Sequence, residues 1–210
     1  MISMDKKGLL IVISGPAGSG KGTVLKHVLK NEDFKYSVSA TTRAPRPGEI
    51  NGVNYHFITK EDFIDRINSG MMLEHTEYCG NYYGTPLKEA EEVLASGKHL
   101  ILELEMEGAM NVKRMYPDAV LILLIPPNYA TQEARLRGRA TETEEKILAR
   151  LAKARQEILL ANEYDYVIYN KDFGDKEAAA DMLAIVRAEV SSTKRNPNII
   201  ENYLADGKTE

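Results

Sequence analysis

Apolar residues along this chain fall into two rhythms. Residues 8–14, 98–103, 119–125 and 164–169 are short runs dense in Leu, Ile, Val and Tyr, with no polar alternation. Such runs predict strands buried on both faces, as in a parallel sheet. Elsewhere apolar positions recur at helical spacing. Val24, Leu25, Val28 and Leu29 share one face, and residues 86–95, 107–115, 144–161 and 175–190 carry similar patterns. Strands alternating with helices predict an α/β fold with a parallel sheet covered on both faces. Two segments break the rhythm. Residues 40–85 are rich in Gly, Pro, Asn, Tyr and Arg, which points to an inserted substrate-binding region. Residues 131–150 carry four arginines and many glutamates without a strand pattern. Thr141 and Glu144 stand there at capping-box spacing, which predicts a helix start. Residues 191–210 are polar, contain Pro197 and Gly207, and read as a short appendage.

Composition narrows the class. A chain of 210 residues fits one domain with a full core. The division expected is a core of residues 8–39, 86–130 and 151–190, interrupted by the two irregular segments. A net charge of -4 weighs against general nucleic-acid binding, which leaves a basic footprint. Cys79 is the only cysteine, so neither an internal disulfide nor a cysteine metal cluster is expected, in keeping with a reducing cytoplasm. The first apolar run is too short for a signal peptide, and cleavage there would destroy the loop that follows. The run 119–125 is far short of a membrane span. A cytoplasmic chain that binds neither nucleic acid nor membrane is therefore expected, with homo-oligomerisation left open.

The first chemistry lies in "ISGPAGSGKGT", residues 13–23. It follows a strand and precedes an amphipathic helix, the setting of a phosphate-binding loop G-x-x-x-x-G-K-[ST]. Gly15, Gly20 and Lys21 fit, but Gly22 takes the place of the hydroxyl and Thr23 comes one residue late. Glycines let backbone N–H groups turn inward on a phosphate, at the positive end of the next helix. Gly15, Pro16, Ala17, Gly18, Ser19, Gly20, Lys21, Gly22 and Thr23 are thus expected to bind ATP, with Lys21 on the β- and γ-phosphates. A glycine-rich turn holding nothing is the weaker reading, because strand, loop, lysine and helix occur in the right order. The Gly22-Thr23 ending resembles nucleoside-monophosphate kinases, in which magnesium rides mainly on the two nucleotides and water. Thr23 then faces the α-phosphate.

The acceptor is set by "SATTRAPRPGEINGVNYHF", residues 39–57. Arg43 and Arg46, in a segment stiffened by Pro45 and Pro47, offer bidentate guanidinium groups to a monophosphate dianion. Tyr55 and Tyr83 offer phenolic donors. Any one of these arginines alone would read as part of a solvated basic loop. The stretch as a whole, however, resembles the guanylate kinase family's pattern S-x-x-T-T-R-x-P-R-x-G-E-x-x-G-x-x-Y-x-F. With "YYGT", "RLRGRATETEE" and "YDYVIYN", that resemblance extends from Leu9 to about Val190.

The resemblance implies a P-loop three-layer fold with an inserted GMP-binding sub-domain, residues 40–85, and a mobile lid, residues 131–150. It implies ATP-dependent phosphorylation of GMP, and of dGMP, to the diphosphate, with Mg²⁺ accompanying ATP. By the same resemblance, Ser39, Glu74 and Thr85 read guanine. Arg43, Arg46, Tyr55 and Tyr83 clamp its phosphate, Glu49 orients an arginine, and Glu103 faces the acceptor. Lys21, Arg43, Arg135, Arg139 and Arg150 neutralise the transferring charge, and Asn170 adjoins adenine. Arg137 either stacks on adenine or sits in solvent. Physical chemistry supports Glu74: guanine presents two adjacent donors that a carboxylate accepts, whereas adenine presents an acceptor that leaves the carboxylate unpaired.

Three departures from the family pattern stand out. Asn54 replaces an aspartate, the family's D/E-x-D-x-Q-G is Glu103-Leu104-Glu105-Met106-Glu107-Gly108, and the later N-D pair is Asn170-Lys171-Asp172. No direct protein ligand to the metal is expected, with Glu103 or Glu105 reaching it through water. Strand alternation puts Glu103 and Glu105 on one side, and Glu107 opens the next helix and complements its N-terminus. His27, His56, His75 and His99 show no metal spacing, and Cys79 reads as a bland neighbour of the site. Two rival functions are a protein-binding module without catalysis and a kinase for another monophosphate. The intact Lys21 and loop glycines disfavour the first; Glu74 with "TTRAPRPGE" disfavours the second.

Overall fold

The computed structural model describes residues 7–78, 80–138 and 143–205. Its centre is a five-stranded parallel sheet. The strands are β1 (Leu10–Ser14), β2 (Phe34–Tyr36), β7 (His99–Glu103), β8 (Val120–Ile125) and β9 (Tyr166–Tyr169), in the spatial order β2-β7-β1-β8-β9. The central strand β1 is buried at every position. Alternation along the strands then sorts side chains to two faces. Ile11, Ile13, Ile101, Ile122, Leu124 and Ile168 meet α1 (Lys21–Val28) and α7 (Asp175–Ser191), which supply Val24, Leu25, Val28, Met182 and Val186. Leu10, Val12, Leu100, Leu102 and Leu121 meet α3 (Leu87–Ala95) and α4 (Met106–Met115) on the other face.

A second sheet occupies much of residues 40–85. It joins β3 (Ala40–Thr41), β4 (His56–Phe57), β5 (Met72–Tyr78) and β6 (Asn81–Pro86) in the order β4-β3-β6-β5. The helix α2 (Lys60–Asn68) packs on it through Phe63, whose ring lies 5.5 Å from that of Tyr82. Thr59 caps this helix by accepting from the Asp62 N–H at 3.1 Å. The β5–β6 register shifts between Met72 and Glu74, a bulge that sets how Glu74 is presented. Leu73 joins the core cluster beneath α3 and α4, so the two sheets share apolar contact.

The remaining segments are helical. Leu136 of α5 (Tyr129–Gly138) packs with Ile147 and Leu151 of α6 (Glu144–Glu157), and Ala17 of the glycine loop leans on this small cluster. Two expectations are corrected here. The α6 N-cap is Thr143, which makes Glu144 the first helical residue rather than the third; Thr141 lies outside the described residues. The helix also ends at Glu157 and tightens into a 3₁₀ turn over Ile158–Glu163. The reason is the return into the sheet: the Asp165 N–H must reach the Leu121 carbonyl, 3.0 Å away. The appendage holds a short helix, α8 (Ile199–Ala205), tethered upstream where Arg195 bonds Glu189 at 2.7 Å. Among the described residues no helix is long and apolar enough to cross a membrane.

Candidate active site

The glycine loop hangs from the most buried strand. Gly15 has φ 154°, and a Cβ there would stand 2.0 Å from the Leu124 carbonyl oxygen. Gly20 has φ 87°, and a Cβ would meet Asn170 Nδ2 at 2.4 Å. The chain therefore turns tightly between β8 and the loop after β9, and only glycine permits it. By contrast a Cβ on Gly22 meets nothing within 4 Å, so packing does not forbid a hydroxyl-bearing side chain there. Lys21 Nζ donates to the Gly15 carbonyl at 2.6 Å. Gln132 Nε2 donates to the Ala17 carbonyl at 2.9 Å, and Asn170 Nδ2 to that of Ser19 at 2.8 Å. The Ser19 hydroxyl and Asn170 Oδ1 are buried with no protein partner. Buried polar atoms are seldom left this way unless something else meets them.

Arginines expected around the donor divide into distinct settings. Arg135 ties α5 to the loop after β9, donating to the Asn170 carbonyl and to Asp172, both at 2.8 Å, and to the Gly18 carbonyl at 3.4 Å. Arg137 is on the solvent side, ion-paired with Glu133 and Glu144. Arg150 is exposed on α6, and Arg139 lies outside the described residues, as does Cys79. Thr23 is exposed on the first turn of α1.

Across the cleft a cavity of about 240 Å³ opens between the two sheets, lined by Ser39, Tyr55, Glu74, Tyr83, Glu103 and Glu105 among others. Glu74 is 2% exposed. Its Oε1 accepts from the Thr85 hydroxyl at 2.9 Å, while Oε2 is buried without a partner. Burial pushes its pKa up to about 7, against the two hydrogen bonds from Thr85. Arg43 is held bidentately by Glu49 at 3.0 and 2.9 Å, and its guanidinium lies 5.4 Å from the Tyr55 ring centre. Glu49 also accepts the Arg46 N–H at 2.7 Å, which fixes the loop that carries both arginines. The Arg46 side chain is exposed. Tyr55 and Tyr83 meet edge to face, 6.0 Å apart.

The acidic run behaves differently from its strand-based reading. β7 ends at Glu103, so alternation does not reach Glu105, which is the N-cap residue of α4 and ion-pairs with Lys153. Glu107 occupies the first turn of α4, yet it also lines the cavity between the two sheets with Glu103 and Glu105. The chain bends from strand to helix within two residues, and that bend turns all three carboxylates toward one space. Sequence reasoning missed two neighbours. Tyr36 donates to Glu103 at 3.3 Å, its pKa raised by burial first and by Glu103 second. Lys153 sits beside Glu105.

Residues 7–189 match the family model described as guanylate kinase. A guanylate kinase of Lactiplantibacillus plantarum is 46% identical over 208 residues, 98% of this chain and 100% of that one. One of Halalkalibacterium halodurans is 49% identical over 203 residues, 95% of this chain and 97% of its own. The crystal structure of guanylate kinase from Anaplasma phagocytophilum aligns with a TM-score of 0.72 at 33% identity, covering 90% of each chain.

Proposed function

The chain belongs to the guanylate kinase family and phosphorylates GMP, and we propose that the cavity headed by Glu74 holds the acceptor while the glycine loop holds ATP. The observation that carries this assignment is the unsatisfied oxygen of a buried carboxylate. Glu74 Oε2 faces a polar cavity with no partner, and Thr85 fixes the other oxygen. Adjacent N1–H and 2-amino donors on guanine complete that set; adenine has neither.

The rest of the work is positioning and charge. Glu49 holds Arg43 beside Tyr55, which lines the cavity with Tyr83, and so keeps it ready for the acceptor phosphate; Arg46 is exposed on the same loop. Lys21, now on the Gly15 carbonyl, swings to the β- and γ-phosphates. An oxygen of the GMP phosphate dianion attacks the γ-phosphorus as the bond to the bridging oxygen breaks, and ADP departs. The dianion needs no strong base, and the loose transition state is stabilised by cations in place. Arg135, Arg139 and Arg150 are the arginines assigned to that charge. Magnesium bound with ATP supplies further charge neutralisation. Among the described residues no group of three His, Cys, Asp or Glu side chains is arranged to hold a metal, and Gly22 lacks a hydroxyl. Those residues fit an ion carried on the nucleotides, with Glu103 or Glu105 reached through water. Purine nucleotide metabolism in the cytoplasm is the setting this reading implies.

A coupled assay of ADP release, with ATP and each of GMP, dGMP, AMP and UMP, tests the proposal. GMP is expected to be used best and dGMP next. Equal use of AMP would overturn the role given to Glu74.

A further inference from the structure

Lys153 belongs to none of the motifs that mark the two nucleotide sites. Its ammonium group nevertheless sits where three elements meet. It ion-pairs with Glu105, which heads α4 at the acceptor cavity. It stands 4.8 Å from the ring centre of Tyr78 at the end of β5, the strand that carries Glu74. It lies 3.6 Å from Glu157, one turn further along α6. One cation therefore connects the helix that follows the arginine-bearing segment, the rim of the acceptor cavity and the inserted sheet.

Strength alone does not explain this arrangement. The Lys153 and Glu105 side chains are 43% and 56% exposed, and exposed pairs contribute little to stability. Location says more. Glu157 is much less exposed, at 16%, and burial raises its pKa while Lys153 and Lys21 pull it down. Lys153 thus stands between two carboxylates, Glu157 on its own helix and Glu105 at the cavity rim. The carboxylate that Lys153 restrains is one of the two within reach of the acceptor and its metal.

We propose that Lys153 is a positioning residue for phosphoryl transfer: it fixes the Glu105 carboxylate at the cavity rim and registers α6 against β5 through Tyr78. The inference rests on the kinase reading above. On this view Lys153 acts through Glu105 and need not touch either nucleotide.

A double-mutant cycle tests it. Lys153→Met keeps the stem over Tyr78 and removes the charge; Lys153→Gln is a second neutral variant should the first fold poorly, as judged by its melting temperature. Either is expected to lower kcat by ~10–100-fold, with KM for GMP and ATP within about threefold, as a misplaced group does. Lys153→Arg should restore most of the loss. In a Glu105→Gln background, adding Lys153→Met should change kcat by less than about threefold, because the group it positions is already altered. An unchanged kcat in both folded neutral variants would overturn the proposal. So would losses that multiply in the double variant, since Lys153 would then act independently of Glu105. Failure of the unmodified protein to phosphorylate GMP would be a different result: it removes the kinase reading, and the inference with it.

Discussion

Glu74 sits with a pKa of about 7 against an ordinary 4.5, because its carboxyl is buried and only one of its oxygens is hydrogen-bonded. In the protonated form it presents a donor where guanine needs an acceptor. The expected result is that kcat/KM for GMP falls on the acid side with an apparent pKa of about 7, while kcat holds to lower pH, because bound guanine keeps the carboxylate ionised. Pre-steady-state and steady-state pH profiles check this, and Glu74→Gln should erase the limb while lowering GMP efficiency ~10–100-fold. The same shift has a stability consequence. A folded pKa above the unfolded one means that the contribution of Glu74 is full below about pH 4.5 and is lost as pH rises through 7. Stabilisation by GMP, read as the rise in melting temperature, should therefore grow between pH 5.5 and 8. The pairing of Arg43 with Glu49 falls within one local, dense motif, whereas Glu74 lies outside it and was reached only through the family resemblance. Tyr36 and Lys153 were not legible in the sequence. Their partners Glu103 and Glu105 lie 67 and 48 residues away, and only the fold brings them close. Glu105 was misread for a related reason: its place depends on where the strand stops, which alternation alone cannot mark.

At the scale of elements, four of the five core strands were visible as unbroken apolar runs, since burial on both faces leaves no room for polar positions; β2, three residues at the sheet edge with two of them exposed, was not. The inserted sheet was hidden. β3 and β4 are two residues each, and β5 is largely polar on the side facing the cleft. Such strands are held by pairing, β3 and β5 with β6 and β4 with β3, rather than by their own pattern. The strand–loop–helix unit of β1 and α1 yields a sharp prediction. Lys21 donates to the Gly15 carbonyl and is not part of either core cluster, so Lys21→Ala should leave the melting temperature within a few degrees. Turnover should nonetheless fall by about 10²–10³-fold or more, the scale for removing one well-placed group from a developing charge. A folded variant with near-normal kcat would move the donor site elsewhere.

For the whole molecule, the glycine loop and the Glu74 cavity, the proposed donor and acceptor sites, stand on separate supports around the parallel sheet. Arg135 is drawn to Asp172 and the Asn170 carbonyl, and Arg43 to Glu49, so these cations rest on carboxylates and a carbonyl. Two bound nucleotides replace those anions and give the supports a reason to approach. Small-angle scattering should show a contraction with GMP plus a non-hydrolysable ATP analogue that exceeds the effect of either alone. An unchanged distance distribution with both present would rule closure out. The inserted sheet has one more property. Its first and last strands along the chain, β3 and β6, are neighbours and antiparallel partners, with Ala40 opposite Gly84 and Thr41 opposite Tyr83. The chain thus leaves the core and returns to it through neighbouring positions, one strand spacing apart. In engineering terms the acceptor module is a cassette with its two cut ends side by side. Another monophosphate-reading module could be spliced there with no change to the length of the path through the core, and the glycine loop, anchored by Gln132 and Asn170 outside the insert, would keep the same supports.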